Sequence, residues 1–334
     1  MKHKDVAALA IPIFLVTALA GCSSPAPSPS AAETEGSVEP VTLEIGFDNP
    51  LAYTNNMPVL IAIEEGFFEE QGITATTVGF SGGSDATRAL VAGSIDVQAG
   101  VGFDSVVGNA NSLDVKIFYS IAQETDFVLY GSTQAGITDS DDLEGSSLAV
   151  SSFGSFSDYL ARSTAGALDF ADDAIEVQAL GTNPALFAAI ESGTVGGTWN
   201  PASLASTIKG SSILASTTSL EIPTQYSSLI ATNAWLEENG DVASRVNKAI
   251  AAAIAWHQDP ENRDAAIEIA VSQMQLPAPA AEAGYDGATE IYGGDGEPSV
   301  EGLSAMADAV PELGLGSTSP DVDELYTLDY LPGE

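Results

Sequence analysis

Residues Met57–Ile73 read MPVLIAIEEGFFEEQGI. From Pro58 to Glu70 the residues Val59, Ile63 and Phe67 fall on one stripe at helical spacing. Gly72 stands where a helix has to leave its right-handed path. Before this stretch Leu43–Phe47 is a short apolar strand, and after it Ile73–Phe80 is extended. Strand, helix and strand in that order predict a parallel unit, which requires helices layered on a sheet.

The alternation continues outward. Ser84 caps a helix to Ala92, Gly93 ends it, and Ile95–Val101, Val115–Ile121 and Phe127–Gly131 read as strands. A second round begins near Gly136. It has a helical turn at Asp139–Leu143, a strand at Ser147–Ser151, a helix at Ser157–Gly166 and a strand at Ile175–Leu180. Asn183-Pro184 then opens a helix to Ser192, and Val195–Trp199 is a strand. The run Ala89–Ile95, ALVAGSI, is echoed by Ala189–Val195, AIESGTV. Both read as helix end, glycine stop and strand start, which fits two lobes of one architecture. Tyr226–Ala231 is a returning strand. The segments Asn233–Asn239, Val242–His257, Pro260–Met274 and Pro298–Val310 read as helices packing back on the first lobe. The expectation is an α/β chain of two lobes, each a mixed sheet flanked by helices, with two hinge crossings near Gly131–Gly136 and Pro223–Tyr226. Residues 41–132 plus 226–334 form lobe 1 and residues 133–225 form lobe 2.

The N-terminus reads as a targeting segment. Lys2, His3 and Lys4 precede the apolar run Val6–Ala20, which is shorter than the roughly 20 residues a span needs. Leu19-Ala20-Gly21-Cys22 resembles the lipobox of bacterial lipoproteins. That resemblance implies cleavage after residue 21, a diacylated Cys22 and anchoring at the outer face of the cytoplasmic membrane. Residues 22–40 then form the lipidated cysteine and a Pro/Ser-rich tether.

Nine basic residues face 47 acidic ones, for a net charge of −38. A field of that sign repels nucleic acid. With one cysteine, no intramolecular disulfide forms. With two histidines, His3 and His257, histidine-rich metal sites are excluded, and neither metal nor cofactor is expected.

Several ordered motifs carry a family resemblance. Ala62 through Gly66-Phe67-Phe68 to Gly72-Ile73 is the first; Arg88-Ala89-Leu90 with Gly93-Ser94-Ile95-Asp96-Val97 is the second. Gly136-Ile137-Thr138-Asp139-Ser140-Asp141-Asp142-Leu143-Glu144-Gly145 and Trp199-Asn200-Pro201 follow. Together they resemble the nitrate/sulfonate/taurine-type solute-binding proteins. The resemblance implies a periplasmic-binding fold of the second type, a solute held between closing lobes, an ABC permease with its ATPase as partners, and a monomer without catalytic activity. Two positions depart from the pattern: Asn200 and Gly196 stand where the family carries acids. Other readings are a binder of an aromatic heterocycle, such as a thiamine pyrimidine precursor or a flavin, an enzyme on the same scaffold, and a receptor feeding a membrane sensor.

Ligands of open α/β sheets bind beyond the carboxyl ends of strands, beside helix N-termini. The candidate loops supply Asp48, Asn49 and Asn56; Ser81, Gly82, Gly83 and Ser84; Phe103 and Asp104; Phe153, Gly154, Ser155 and Phe156; and Trp199 with Asn200. Glycines admit close backbone approach, and free amides at helix starts favour an anion. Trp199 and Phe153 are the candidates for stacking on the solute, and Ser84, Ser155 and Trp199 are expected to face one crevice. Arg88 and Arg162 either pair a ligand anion or balance nearby acids. His257, at a helix end, reads as a structural cation.

Overall fold

The computed structural model describes residues 39–293 and 295–333. The leader, Cys22 and the tether up to residue 38 lie outside the described residues. Among these, ten strands form two sheets. They are β1 (Val41–Phe47), β2 (Ile73–Gly79), β3 (Val97–Val101), β4 (Val115–Ser120), β5 (Phe127–Ser132), β6 (Ser147–Val150), β7 (Glu176–Ala179), β8 (Gly197–Pro201), β9 (Ser211–Ser216) and β10 (Ser227–Thr232). The first sheet has the order β2-β1-β3-β10-β4 and the second β7-β6-β8-β5-β9. In each, three strands run parallel and a fourth enters antiparallel, β10 against β3 and β4, β5 against β8 and β9. The two lobes are thus one architecture used twice. The echoed sequence runs occupy equivalent places, ahead of β3 and β8. Their stops, Gly93 and Gly193, adopt φ of 69° and 71°, a region where a side chain is strained.

The expected boundary after residue 132 is corrected. β5 pairs with β8 and β9, so the chain crosses between lobes at residues 121–126 and returns at residues 217–226. The turn Gly131–Gly136 lies wholly in the second lobe. An apolar strand carries no mark of which sheet it joins, and that is why the boundary was misplaced.

The deciding stretch forms two helices, Tyr53–Glu64 and Phe67–Glu70, parted by Gly66 at φ 80°. The first starts one turn earlier than the apolar stripe predicts and carries Pro58 inside it. Proline has no N–H to give the carbonyl four residues back, here Thr54. The Tyr292 hydroxyl donates to that carbonyl at 2.8 Å instead, from a buried position on the far side of the helix layer. Two helices escaped the sequence reading. Gly102–Ala110 begins with residues read as a loop, and Ala278–Ile291 opens in the proline-rich run Pro277-Ala278-Pro279. Proline is harmless in a first turn, where its missing N–H has no helical partner. No helix among the described residues is long and apolar enough to cross a membrane.

Replacing Tyr292 by Phe orphans the Thr54 carbonyl and should cost about 1–3 kcal/mol of stability. Urea denaturation of Tyr292→Phe in the native and Pro58→Ala backgrounds checks this, because alanine at 58 restores the helical donor and should remove most of the loss.

Candidate functional site

A cavity of about 310 Å³ lies between the sheets, at the carboxyl ends of the parallel strands. The first lobe supplies Asp48 to Leu51, which follow β1, and Phe80 to Gly83, which follow β2. The second lobe supplies Ser151, Ser155, Phe156 and Ser157 after β6, then Thr182, Asn183, Pro184 and Leu186 after β7. Trp199 and Asn200 of β8 and Phe127 of β5 complete the wall. Helices beginning at Tyr53, Gly83, Phe156 and Asn183 start at this rim. The lobes touch across it: Asn183 Nδ2 donates to Asn49 Oδ1 at 3.1 Å. Gly82 comes so near the second lobe that a side-chain carbon on it would lie 3.1 Å from Ser152 Oγ.

Of the residues expected at the site, Asp48, Asn49, Ser81, Gly82, Gly83, Ser155, Phe156, Trp199 and Asn200 share this cavity. Six do not. Asn56 is fully buried and donates from Nδ2 to the Asn49 carbonyl at 2.8 Å, so it shapes the loop from behind. Phe103 is enclosed in an aromatic seam, 4.8 Å from Tyr159 and 6.5 Å from Phe156 between ring centroids. Asp104 lies under Gly83 and accepts from Gln98 Nε2 at 2.6 Å. Ser84, Phe153 and Gly154 border a second hollow of about 330 Å³ together with Thr87, Arg88 and Asp104. Ser84 therefore fails to join Ser155 and Trp199 in one crevice. The helix begins at Gly83 with Gly82 at its cap, two residues earlier than expected, and this turns Ser84 aside.

Phe153 is 56% exposed and lies under the Arg162 guanidinium, 5.7 Å from its ring centroid, which removes it as a stacking plate for this cavity. Trp199 is buried; its indole N–H donates to Thr164 Oγ1 at 2.9 Å, so it forms a fixed wall. Arg88 pairs with Asp85 and Arg162 with Asp158, the local balancing that was one of their two readings. Residues missed from sequence include Phe127, Ser151, Thr182 and Asn183. Asn183-Pro184 was read only as a helix start, yet a helix start after a parallel strand is itself the signal.

Burial pushes the Asp48 carboxyl up to about 6. The Asp104 carboxyl is raised well above its usual range by burial and by the Asp48 charge. His257 is structural for a reason other than the expected one. Buried among Tyr53, Tyr285 and Tyr292, it is pushed down to about 4 and stays neutral. Its Nε2 meets the Tyr53 hydroxyl at 3.1 Å.

Two lobes of repeated topology around a cleft at the strand ends define the periplasmic-binding-protein fold. The chain belongs to the NMT1-like family, whose model matches residues 36–271. The aliphatic sulphonate binding protein SsuA of Escherichia coli superposes with a TM-score of 0.69 at 20% identity, over 89% of this chain and 95% of that one. The alkanesulfonate-binding protein SsuA of Xanthomonas axonopodis pv. citri, bound to MOPS, gives 0.72 at 17% identity over 87% and 99%. The nitrate-binding protein NrtA of Synechocystis PCC 6803 gives 0.69 at 15% identity over 87% of each chain. No curated protein matches the chain by sequence.

Two of the shifted groups, Asp48 and His257, act on stability in opposite senses. Asp48, raised from 3.8 to about 6, contributes stability that is full below the lower value and lost as pH rises through the upper one. His257, lowered from 6.5 to about 4, contributes stability that is lost as pH falls through that interval. Denaturation midpoints followed across pH should flatten on the rising side in Asp48→Asn and on the falling side in His257→Gln.

Proposed function

We propose that this chain is the extracytoplasmic solute-binding lipoprotein of an ABC importer, which captures one small organic solute between its lobes and closes on it. The observation that carries this reading is the cavity itself. It is walled by both lobes, bordered by helix starts, and bridged at its rim by the Asn183–Asn49 hydrogen bond. A solute seated there touches both lobes at once, so it favours the closed arrangement by differential contact. Membership of the NMT1-like family and the shared fold of the sulfonate- and nitrate-binding proteins support the same conclusion. Within this reading an aromatic or heterocyclic solute is favoured over nitrate. Phe80, Phe127, Phe156 and Trp199 surround the cavity, and rings of that kind stack on flat organic groups. Lipidation at Cys22 is proposed from the lipobox alone.

A true solute raises the melting temperature in proportion to the logarithm of its concentration. Thermal-shift screening of sulfonates, nitrate, pyrimidines and flavins, followed by small-angle scattering of the best binder, should show both stabilisation and a smaller radius of gyration. Phe156→Ala should weaken that binder by roughly tenfold. A panel without any stabilising member would defeat the capture reading.

Cys22→Ser should release the protein from membranes into the medium or periplasm. Metabolic palmitate labelling and fractionation of cells expressing each form check this.

A further inference from the structure

We infer that the solute carries a hydrogen-bond-donating nitrogen, an amine or amidine, and that Asp48 is the group recognising it, to the exclusion of simple anions. The inference rests on solute capture as proposed above and narrows its chemistry. Asp48 is the one ionisable side chain in the cavity wall; among the described residues no Lys, Arg or His lines it. The nearby guanidinium groups are committed elsewhere, Arg88 to Asp85 and Arg162 to Asp158.

Helix starts are the usual seat for an anion in such a cleft. Of the four at the rim, two carry an acid of the chain's own in the first turn. Asp85 sits in the first turn of Gly83–Val91. Asp158, fully buried in the first turn of Phe156–Ala167, accepts the Gly154 N–H at 2.7 Å. At those two starts an arriving sulfonate meets a carboxylate; the starts at Tyr53 and Asn183 carry none in the first turn.

Asp48 is placed in the opposite way. Asn55 Nδ2 donates to it at 3.4 Å and backbone around Asn49 and Val101 bonds it as well, so neutral donors hold it at the wall and, among the described residues, no cation pairs with it. Behind it stands Asp104, outside the cavity wall. A carbon built on Gly100 would lie 3.1 Å from Asp48 Oδ2 and 2.9 Å from Asp104 Oδ2, so the two carboxyl groups crowd one small volume. A cation relieves that crowding and an anion worsens it. The aromatic wall offers ring faces to an organic cation. The net charge of −38 draws cations toward the cleft and repels anions.

The test compares benzylamine and benzamidine with benzenesulfonate and nitrate, by thermal shift and calorimetry on the soluble body. The nitrogen cations should bind at least roughly tenfold more tightly than the anions. Asp48→Asn should weaken the cations by about tenfold and raise affinity for benzenesulfonate, a reversal that a merely structural role does not produce. The wild-type comparison stands alone if Asp48→Asn does not fold. Anions binding as well as or better than the cations, or an Asp48→Asn variant with unchanged selectivity, overturns the inference and leaves solute capture intact. Silence of both probe classes counts against the inference, and if the wider solute screen is silent too, capture itself falls.

Discussion

A parallel strand must be followed by a connection that climbs over the sheet and returns, and the helix in that connection begins where the strand ends. Its first amides have no partner within the helix. Most of the cavity follows from that constraint, Phe127, Trp199 and Asn200 being contributed by strands. Asp48 and Ser81 come directly after β1 and β2, and Ser151 and Thr182 after β6 and β7. Because the second sheet repeats the order of the first, its strand ends meet those of the first lobe across the cleft, so polar loop atoms from both lobes converge on one volume.

What fills those amides then decides the chemistry of the cleft. At the start of Phe156–Ala167 short acids and hydroxyls do so locally. Asp158 binds the Gly154 amide, Ser155 Oγ accepts from the Asp158 amide, and Ser151 and Ser157 join through a hydroxyl contact of 3.2 Å. Such a network is mutually reinforcing, because its hydroxyls both give and receive between amide donors and a carboxylate acceptor. The cleft is thereby prepared without a single basic side chain among its described residues, and its remaining unbalanced charge is carboxylate. The sulfonate- and nitrate-binding proteins share this fold at 15–20% identity, which leaves room for different site chemistry on one scaffold.

Much of the fold was legible because glycine marks it. Gly72, Gly93 and Gly193 all adopt positive φ, and each ends a helix where the sequence said it would. The paired strand-helix-strand rounds were legible for the same reason. Sheet membership was not. β5 opens with four buried or half-buried large side chains, and nothing in Phe127-Val128-Leu129-Tyr130 tells which sheet it joins. The site was half legible. Loops after strands were located, but which side chain turns into the cleft depends on the first residue of the helix. The helix at Gly83 starts two positions early, and Ser84 and Phe153 border the neighbouring hollow while Ser81 and Phe156 line the cleft. His257 shows a further limit. Its place at a helix end suggested a cation, while three tyrosines from distant segments make it a buried neutral base.

The position of the antiparallel strands bears on how the proposed closure works. β5 continues directly from one crossing and β10 from the other, and each lies inside its sheet, with a partner on both sides. The crossings are therefore tied at these ends to strands paired on both edges, and in the proposed closure residues 121–126 and 217–226 would absorb the rotation. Gln225 binds the two crossings together. Its Nε2 donates to Ser120 Oγ at 2.9 Å and to the Ala122 carbonyl at 3.3 Å. Its Oε1 accepts the Ser299 N–H at 2.6 Å, at the cap of the helix Val300–Glu312. A few terminal residues that absorb the dihedral change, held between two packed bodies, are what a hinge requires. The amide is fully buried, so in the proposed closure it would couple the two crossings and favour rotation about one axis.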